Sequence, residues 1–199
     1  MNDTREPMQK RSIEKKQKIT EAGFELFCEK GYYNTNTIEI AKRAGVSTGA
    51  LYSYFKDKRD IYILAFDQYL NSLSIYLFEV LEGLEQPFSL SAFIDKWIAF
   101  YIDLYATSSR ALVQIKVMIL DDKEINRHFS DLENEYFLRL VELLNQNGIL
   151  CDNLFEKVYT SCILVDALRQ EKSTFPHSGL DFDILKFQIT KEIFNIFST

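Results

Sequence analysis

Between Asn36 and Lys58 the chain reads NTIEIAKRAGVSTGALYSYFKDK, and this stretch leaves few folds open. Asn36 offers a side-chain acceptor just before an apolar-periodic segment, with Glu39 three residues on. That is the start signal of a helix, a capping box with Asn in the usual Ser/Thr place. Ile40, Ala41 and Ala44 give this helix, predicted over 37–44, a stripe to bury. Gly45 tolerates the positive φ that a tight turn needs. Ser47 caps a further short helix expected to reach about Tyr54. Ala41 is small where the two helices approach, and Val46 and Leu51 can tie them together. Two short helices joined by a glycine turn form a helix-turn-helix. The outer face of its second helix must then carry small or polar groups that fit a groove.

The surroundings continue the helical pattern. Ile19, Ala22, Gly23, Leu26 and Phe27 fall on one face of a helix expected from Ser12 to its C-terminal stop at Gly31. Residues 1–10 read as a flexible tail. After a loop over 32–35 and the helix-turn-helix, Asp57 caps a long helix predicted from Lys58 to about Glu82, with Asp60 at its third position. Apolar periodicity then marks helices at 89–106, 109–121, 124–146, 153–171 and 182–198. Gln86-Pro87, Asn147-Gly148 and the stretch from Pro176 to Gly179 mark the breaks. With 7 Gly and 3 Pro in 199 residues, strand-and-turn architectures have little support. The expected fold is all-α, about nine helices, with an N-terminal three-helix domain over 1–56 and a helical domain over 57–199.

The net charge of −6 hides an asymmetry. Residues 1–60 hold 12 Lys/Arg against 9 Asp/Glu, a net +3, and the rest carries −9. A basic head on an acidic body suits a head that meets phosphate. Cys28, Cys151 and Cys162 form no Cys-x-x-Cys pair, and an odd count fits reduced thiols in the cytoplasm. His128 and His177 have no metal-ligand spacing, so no metal and no cofactor is expected. No G-x-S-x-G elbow or glycine-rich phosphate loop supports an enzyme. The polar N-terminus lacks the apolar region of a signal peptide, and charges interrupt every apolar run before it could span a membrane.

The segment from Ile19 to Lys58 resembles the DNA-binding domain of the TetR/AcrR family of transcription regulators. The matching pieces are I-x-x-A (19–22), LF (26–27), GY (31–32), T (35), IA (40–41), AGVS (44–47), G (49), LY (51–52), F (55) and K (58), in register without a gap. The resemblance implies that the helix after Ser47 enters the major groove of double-stranded DNA. Thr48, Gly49, Ala50 and Ser53 would then face bases, and Thr37, Tyr52, Tyr54 and Lys58 would hold phosphates. Asn36, Lys42 and Ser47 complete the expected DNA-binding set. Chemistry agrees at Thr37, a helix N-terminus that favours anions, and at Lys58, a point charge. The base-facing positions hold no Arg, Lys, Asn or Gln, so bidentate base reading is absent there. Ala50 and the Thr48 methyl are suited to thymine methyls, and specificity is left to DNA shape, or to Lys42, Arg43 and the basic start of the first helix. Arg11, Lys15, Lys16 and Lys18 are open between DNA contacts and a solvated face. Ile38 departs from the family's usual polar residue; it either packs inward or touches a sugar.

The resemblance further implies a C-terminal domain that dimerises and binds a small-molecule effector, with repression as the default and an inverted repeat as the operator. The last two helices are the expected homodimer interface. Leu154, Val158, Cys162 and Val165 in one, and Leu185, Ile189, Ile193 and Phe197 in the other, are either that interface or internal core. Candidate effector contacts are Trp97, Tyr101, Tyr105, Gln114, Met118 and Asp166. The aromatic stripe over 97–105 reads as core or as cavity wall. Asp166 faces a cationic ligand or, as the favoured reading, is solvated or pairs with Arg169 or Lys172 at the surface. The rival function is a helical carrier or sensor of apolar molecules without sequence-specific DNA binding.

Overall fold

A computed structural model describes the backbone of residues 5–173 and 176–198, and the side chains of all these except 5–9, 105–109 and 173. Regular structure among them is helical throughout, as the all-α expectation required: α1 (Arg5–Lys30), α2 (Thr37–Ala44), α3 (Thr48–Tyr52), α4 (Lys58–Glu82), α5 (Leu90–Asp121), α6 (Lys123–Gln146), α7 (Leu154–Ser173) and α8 (Phe182–Ser198). Side-chain caps account for most of the starts. Asn36 Oδ1 accepts from the Glu39 amide at 3.0 Å, and Ser47 Oγ from the Ala50 amide at 3.1 Å. Asp57 Oδ1 accepts from the amides of Arg59 and Asp60 at 2.8 and 3.0 Å. Asp122 and Asp181 cap α6 and α8 in the same way.

Two boundaries differ from expectation. α1 begins at Arg5 rather than Ser12, so the expected flexible tail is helical from residue 5, and residues 1–4 lie outside the described ones. Pro7 does not prevent this, because it falls in the first turn, where an N–H has no acceptor within the helix. The helices predicted at 89–106 and 109–121 are one, α5. Residues 107–109 are Thr-Ser-Ser, and hydroxyl residues disfavour a helix interior only mildly.

The chain divides into two compact units. Unit 1 comprises residues 1–72 and 110–126, and unit 2 comprises residues 73–109 and 127–199. α4 and α5 thus each supply residues to both units, whereas the division expected from the chain order fell at residues 56 and 57. Unit 1 has a core of Ile19, Phe27, Ile40, Leu51, Ile61 and Phe66, all fully buried. In it α1 and α4 approach so closely that a Cβ on Gly23 would lie 2.6 Å from Ile61 Cγ2. Unit 2 is built on Phe78, Phe93, Trp97, Leu144, Val158 and Ile193.

Candidate functional site

The helix-turn-helix of unit 1 is formed as its residues demand. Gly45 takes φ +68°, in the left-handed region, and its amide bonds back to the end of α2. Val46 N–H donates to the Ala41 carbonyl at 3.0 Å, closing the turn. The buried Ile40, Ala41 and Leu51 lock α2 and α3 onto the core.

Ion pairs fix α2 sideways against α1. Lys30 Nζ lies 2.9 Å from Glu39, and Arg43 lies 3.1 Å from Glu25 and 2.9 Å from Glu29. The hydrogen bond from Arg43 holds the Glu29 carboxyl below the usual range, and that from Lys30 does the same for Glu39. Glu39 therefore serves α1 through Lys30 while also accepting from the Asn36 amide, the reciprocal half of the capping box. Arg43 is committed in the same direction.

Each expected DNA-contact residue has a defined setting. Gly49, Tyr52 and Ser53 of the α3 segment are exposed; Thr48 and Ala50 are half-buried. The Thr37 and Tyr52 hydroxyls are 3.0 Å apart, joining the first turn of α2 to the end of α3. Ser53 Oγ donates to the Ala50 carbonyl at 2.6 Å. Tyr54 Oη accepts from Ser12 Oγ at 3.4 Å, which ties the turn after α3 to α1. Asn36 and Ser47 act as caps, and Lys42 is exposed on the outer side of α2. Ile38 does not pack inward; it is 67% exposed. The basic residues Arg11, Lys15, Lys16 and Lys18 are exposed on α1.

Lys58 has partners that its spacing in the chain did not suggest. Its ammonium donates to the Tyr32 and Thr35 carbonyls at 2.7 and 2.8 Å and lies 4.1 Å from the centroid of the Tyr32 ring. Burial holds its pKa below the ordinary lysine value. Thr35, itself buried, donates to the Gly31 carbonyl at 2.8 Å. The start of α4 thereby grips the loop that sets the beginning of α2. Partners 23 and 26 residues away leave no local sequence signal.

The expected effector contacts fall in both units. Trp97, Tyr101 and Asp166 belong to unit 2, and Gln114 and Met118 to unit 1. The Tyr105 side chain lies outside the described residues. Met118 is buried, and the Gln114 carbonyl accepts from the Tyr62 hydroxyl at 3.0 Å. In unit 2, Trp97 Nε1–H donates to Tyr136 Oη at 3.0 Å, and Tyr136 bonds in turn with Tyr101. Burial pushes both tyrosine hydroxyls and the nearby Cys162 thiol above their ordinary pKa values. Asp166 pairs with Arg169, whose side chain is buried, and accepts from Gln170 at 2.6 Å. Loss of hydration and then the Asp166 carboxylate raise the pKa of Glu133. Sequence periodicity did not single out Tyr136 or Glu133, because they lie on α6 rather than on the aromatic stripe of α5. A separate open groove of about 290 Å³ lies in unit 1, lined by Thr20, Phe24, Ala65, Gln68 and Tyr69.

The residues named for dimerisation are mostly internal. Leu154, Val158, Val165, Ile189, Ile193 and Phe197 are buried within the chain's own core, and Cys162 and Leu185 are half-buried. The opposite faces of the same helices carry exposed apolar groups. These are Tyr159 and Ile163 on α7, and Ile184, Phe187 and Phe194 on α8. No helix among the described residues is long and apolar enough to cross a membrane.

The chain is similar in part to known proteins. The family described as bacterial regulatory proteins, tetR family, matches residues 19–65. A transcriptional regulator of Aromatoleum sp. (strain CIB), HbdR, of the helix-turn-helix type, is 40% identical over 74 residues, covering 37% of this chain and 32% of that protein. The fatty acid metabolism regulator protein of Bacillus subtilis (strain 168) is 44% identical over 50 residues, 25% of this chain and 26% of its own. The chain thus spans about a third or less of these relatives' lengths. In fold, the fatty acid degradation regulator FadR from Bacillus halodurans superimposes with a TM-score of 0.67 at 18% identity, over 90% of this chain and 94% of that one.

Proposed function

We propose, from the premise that this chain belongs to the TetR family through its N-terminal domain, that it is a ligand-responsive repressor of transcription. It binds an inverted-repeat operator as a homodimer and is released by a small, partly apolar effector. The observation that carries this reading is the closed turn at Gly45, with Ser47 capping a helix whose Gly49, Tyr52 and Ser53 are exposed. A short helix held in that way, with small or polar outward groups, suits entry into a major groove.

The dimer forms through the outer faces of α7 and α8. Tyr159 and Ile163 are one turn apart, and Ile184, Phe187 and Phe194 follow helical spacing, so each helix presents an apolar stripe away from its own core, interrupted on α8 by the exposed Lys191. Such stripes stay in water only at a cost that a second copy relieves. The two reading heads then meet half-sites roughly 34–36 Å apart.

The effector binds in unit 2 near Tyr101 and Tyr136, where buried hydroxyls and indole N–H give an apolar interior a few directional contacts. It acts by preferring one of two arrangements of the dimer. An electrophoretic mobility shift with duplexes selected from a random pool tests the core of the reading. Enrichment of an inverted repeat, bound by dimer, is expected; a folded dimer that enriches no sequence would overturn it.

A further inference from the structure

We propose that Ile38 reads the methyl group of a thymine in each operator half-site and is a specificity-determining residue of the DNA-binding surface. The proposal rests on the DNA-binding reading above. α2 has three faces, and two of them are occupied. Ile40 and Ala41 are buried in the core of unit 1. Glu39 and Arg43 are held by Lys30, Glu25 and Glu29 of α1. Ile38 and Lys42, one turn apart, make up the third face, and both are exposed.

A single exposed isoleucine is ordinary on any surface. Its neighbours give this one meaning. Ile38 directly follows Thr37, whose hydroxyl lies 3.0 Å from that of Tyr52. The first turn of α2 and the end of the proposed reading helix therefore meet beside it. Its side chain has no donor or acceptor, so it cannot take part in hydrogen-bond reading of base edges. The reading positions of α3 do not supply the missing polar groups either, since Thr48, Gly49, Ala50 and Ser53 include no long polar side chain. In the major groove the one apolar group that base pairs present is the C5-methyl of thymine. A branched aliphatic side chain fits that group and leaves a cytosine amino group unsatisfied. Lys42, a turn further on, supplies a cation for the flanking phosphate.

The test uses the full-length protein and a duplex enriched by it from a random pool. Each thymine is replaced in turn by deoxyuridine, which removes only the methyl group, and affinity is measured by competition. One thymine per half-site should respond, with binding weakened about fivefold. Ile38→Ala should weaken binding to the parent duplex by a similar factor and abolish the response at that thymine alone. Ile38→Val should retain part of it. Helicity should be unchanged, because Ile38 is 67% exposed and lies outside the core of unit 1. Leu120→Ala, a still more superficial truncation on α5 in unit 1 (88% exposed), should leave the response intact. The proposal is overturned if no thymine responds, or if Ile38→Ala keeps the wild-type response, which would assign the methyl contact to another residue. Failure to enrich any duplex overturns the DNA-binding reading, and the proposal with it.

Discussion

A lysine ammonium has three protons to donate, and Lys58 gives two of them to the Tyr32 and Thr35 carbonyls. This geometry makes it a clamp on the loop before α2, whereas the family pattern places the same residue on a phosphate. The two roles separate in a salt titration. Removing a phosphate contact makes the slope of log K against log salt shallower by about 0.9. Lys58→Met is expected to lower the melting temperature and the specific affinity while the slope keeps its wild-type value. A slope shallower by the full amount would return Lys58 to the phosphate. Gly23 is the second informative residue. Alanine is the better helix former by about 1 kcal/mol, yet its Cβ would sit 2.6 Å from the fully buried Ile61. Overpacking of that kind costs about 1–3 kcal/mol, so Gly23→Ala should lower the melting temperature. An unchanged or raised value would show that α1 and α4 can move apart at no cost.

α2 has only eight residues, too short to hold itself. Its position comes from the buried Ile40 and Ala41, the Thr37–Tyr52 bond and the ion pairs to α1. The pairs are solvent-exposed, so each contributes modestly. Their pH dependence has a definite sign. Glu29 and Glu39 are held below the ordinary carboxyl value of 4.5. Groups depressed in the folded state stabilise it above their unfolded pKa, and that stabilisation is lost as pH falls through the folded one. Arg43→Gln should therefore melt below wild type at neutral pH, and the gap should close on acidification through the range below 4.5. A gap independent of pH would mean that Arg43 acts by packing and not by charge. At the other end of this element, Tyr52→Phe removes a hydroxyl shared with Thr37. The expected result is weaker DNA binding with the fold intact, read by mobility shift and circular dichroism.

Over the whole molecule the proposed assembly depends on the outer faces of α7 and α8. Phe187 is 70% exposed and Ile163 is 53% exposed. Exposed positions accept charge without harm to the monomer's core, so Phe187→Glu with Ile163→Glu should leave helicity unchanged. Sedimentation should then report a monomer, and binding to an inverted repeat should fall to that of a single half-site. A variant that still sediments as a dimer would place the interface elsewhere. The compact units also recast the expected division at residues 56 and 57. Chain order places α4 wholly in the second part, whereas its residues to Ser72 pack with unit 1, together with residues 110–126.

Local chemistry in the sequence determined the helices and the turn. Asn36, Ser47 and Asp57 cap because their side chains reach an amide two or three residues away. Gly45 turns because only its own φ matters. These interactions are short in sequence and so legible in it. Periodicity likewise revealed that α7 and α8 are apolar, but each has two apolar sides, and a period does not say what covers a side. Tertiary structure alone decided that Val158 and Ile193 face inward while Ile163 and Phe187 face outward. It alone turned Lys58 onto backbone carbonyls, committed Arg43 to α1 and left Ile38 exposed. Each of those outcomes depends on which distant groups arrive nearby, and the geometry that brings them together belongs to the folded chain, not to any short window of it.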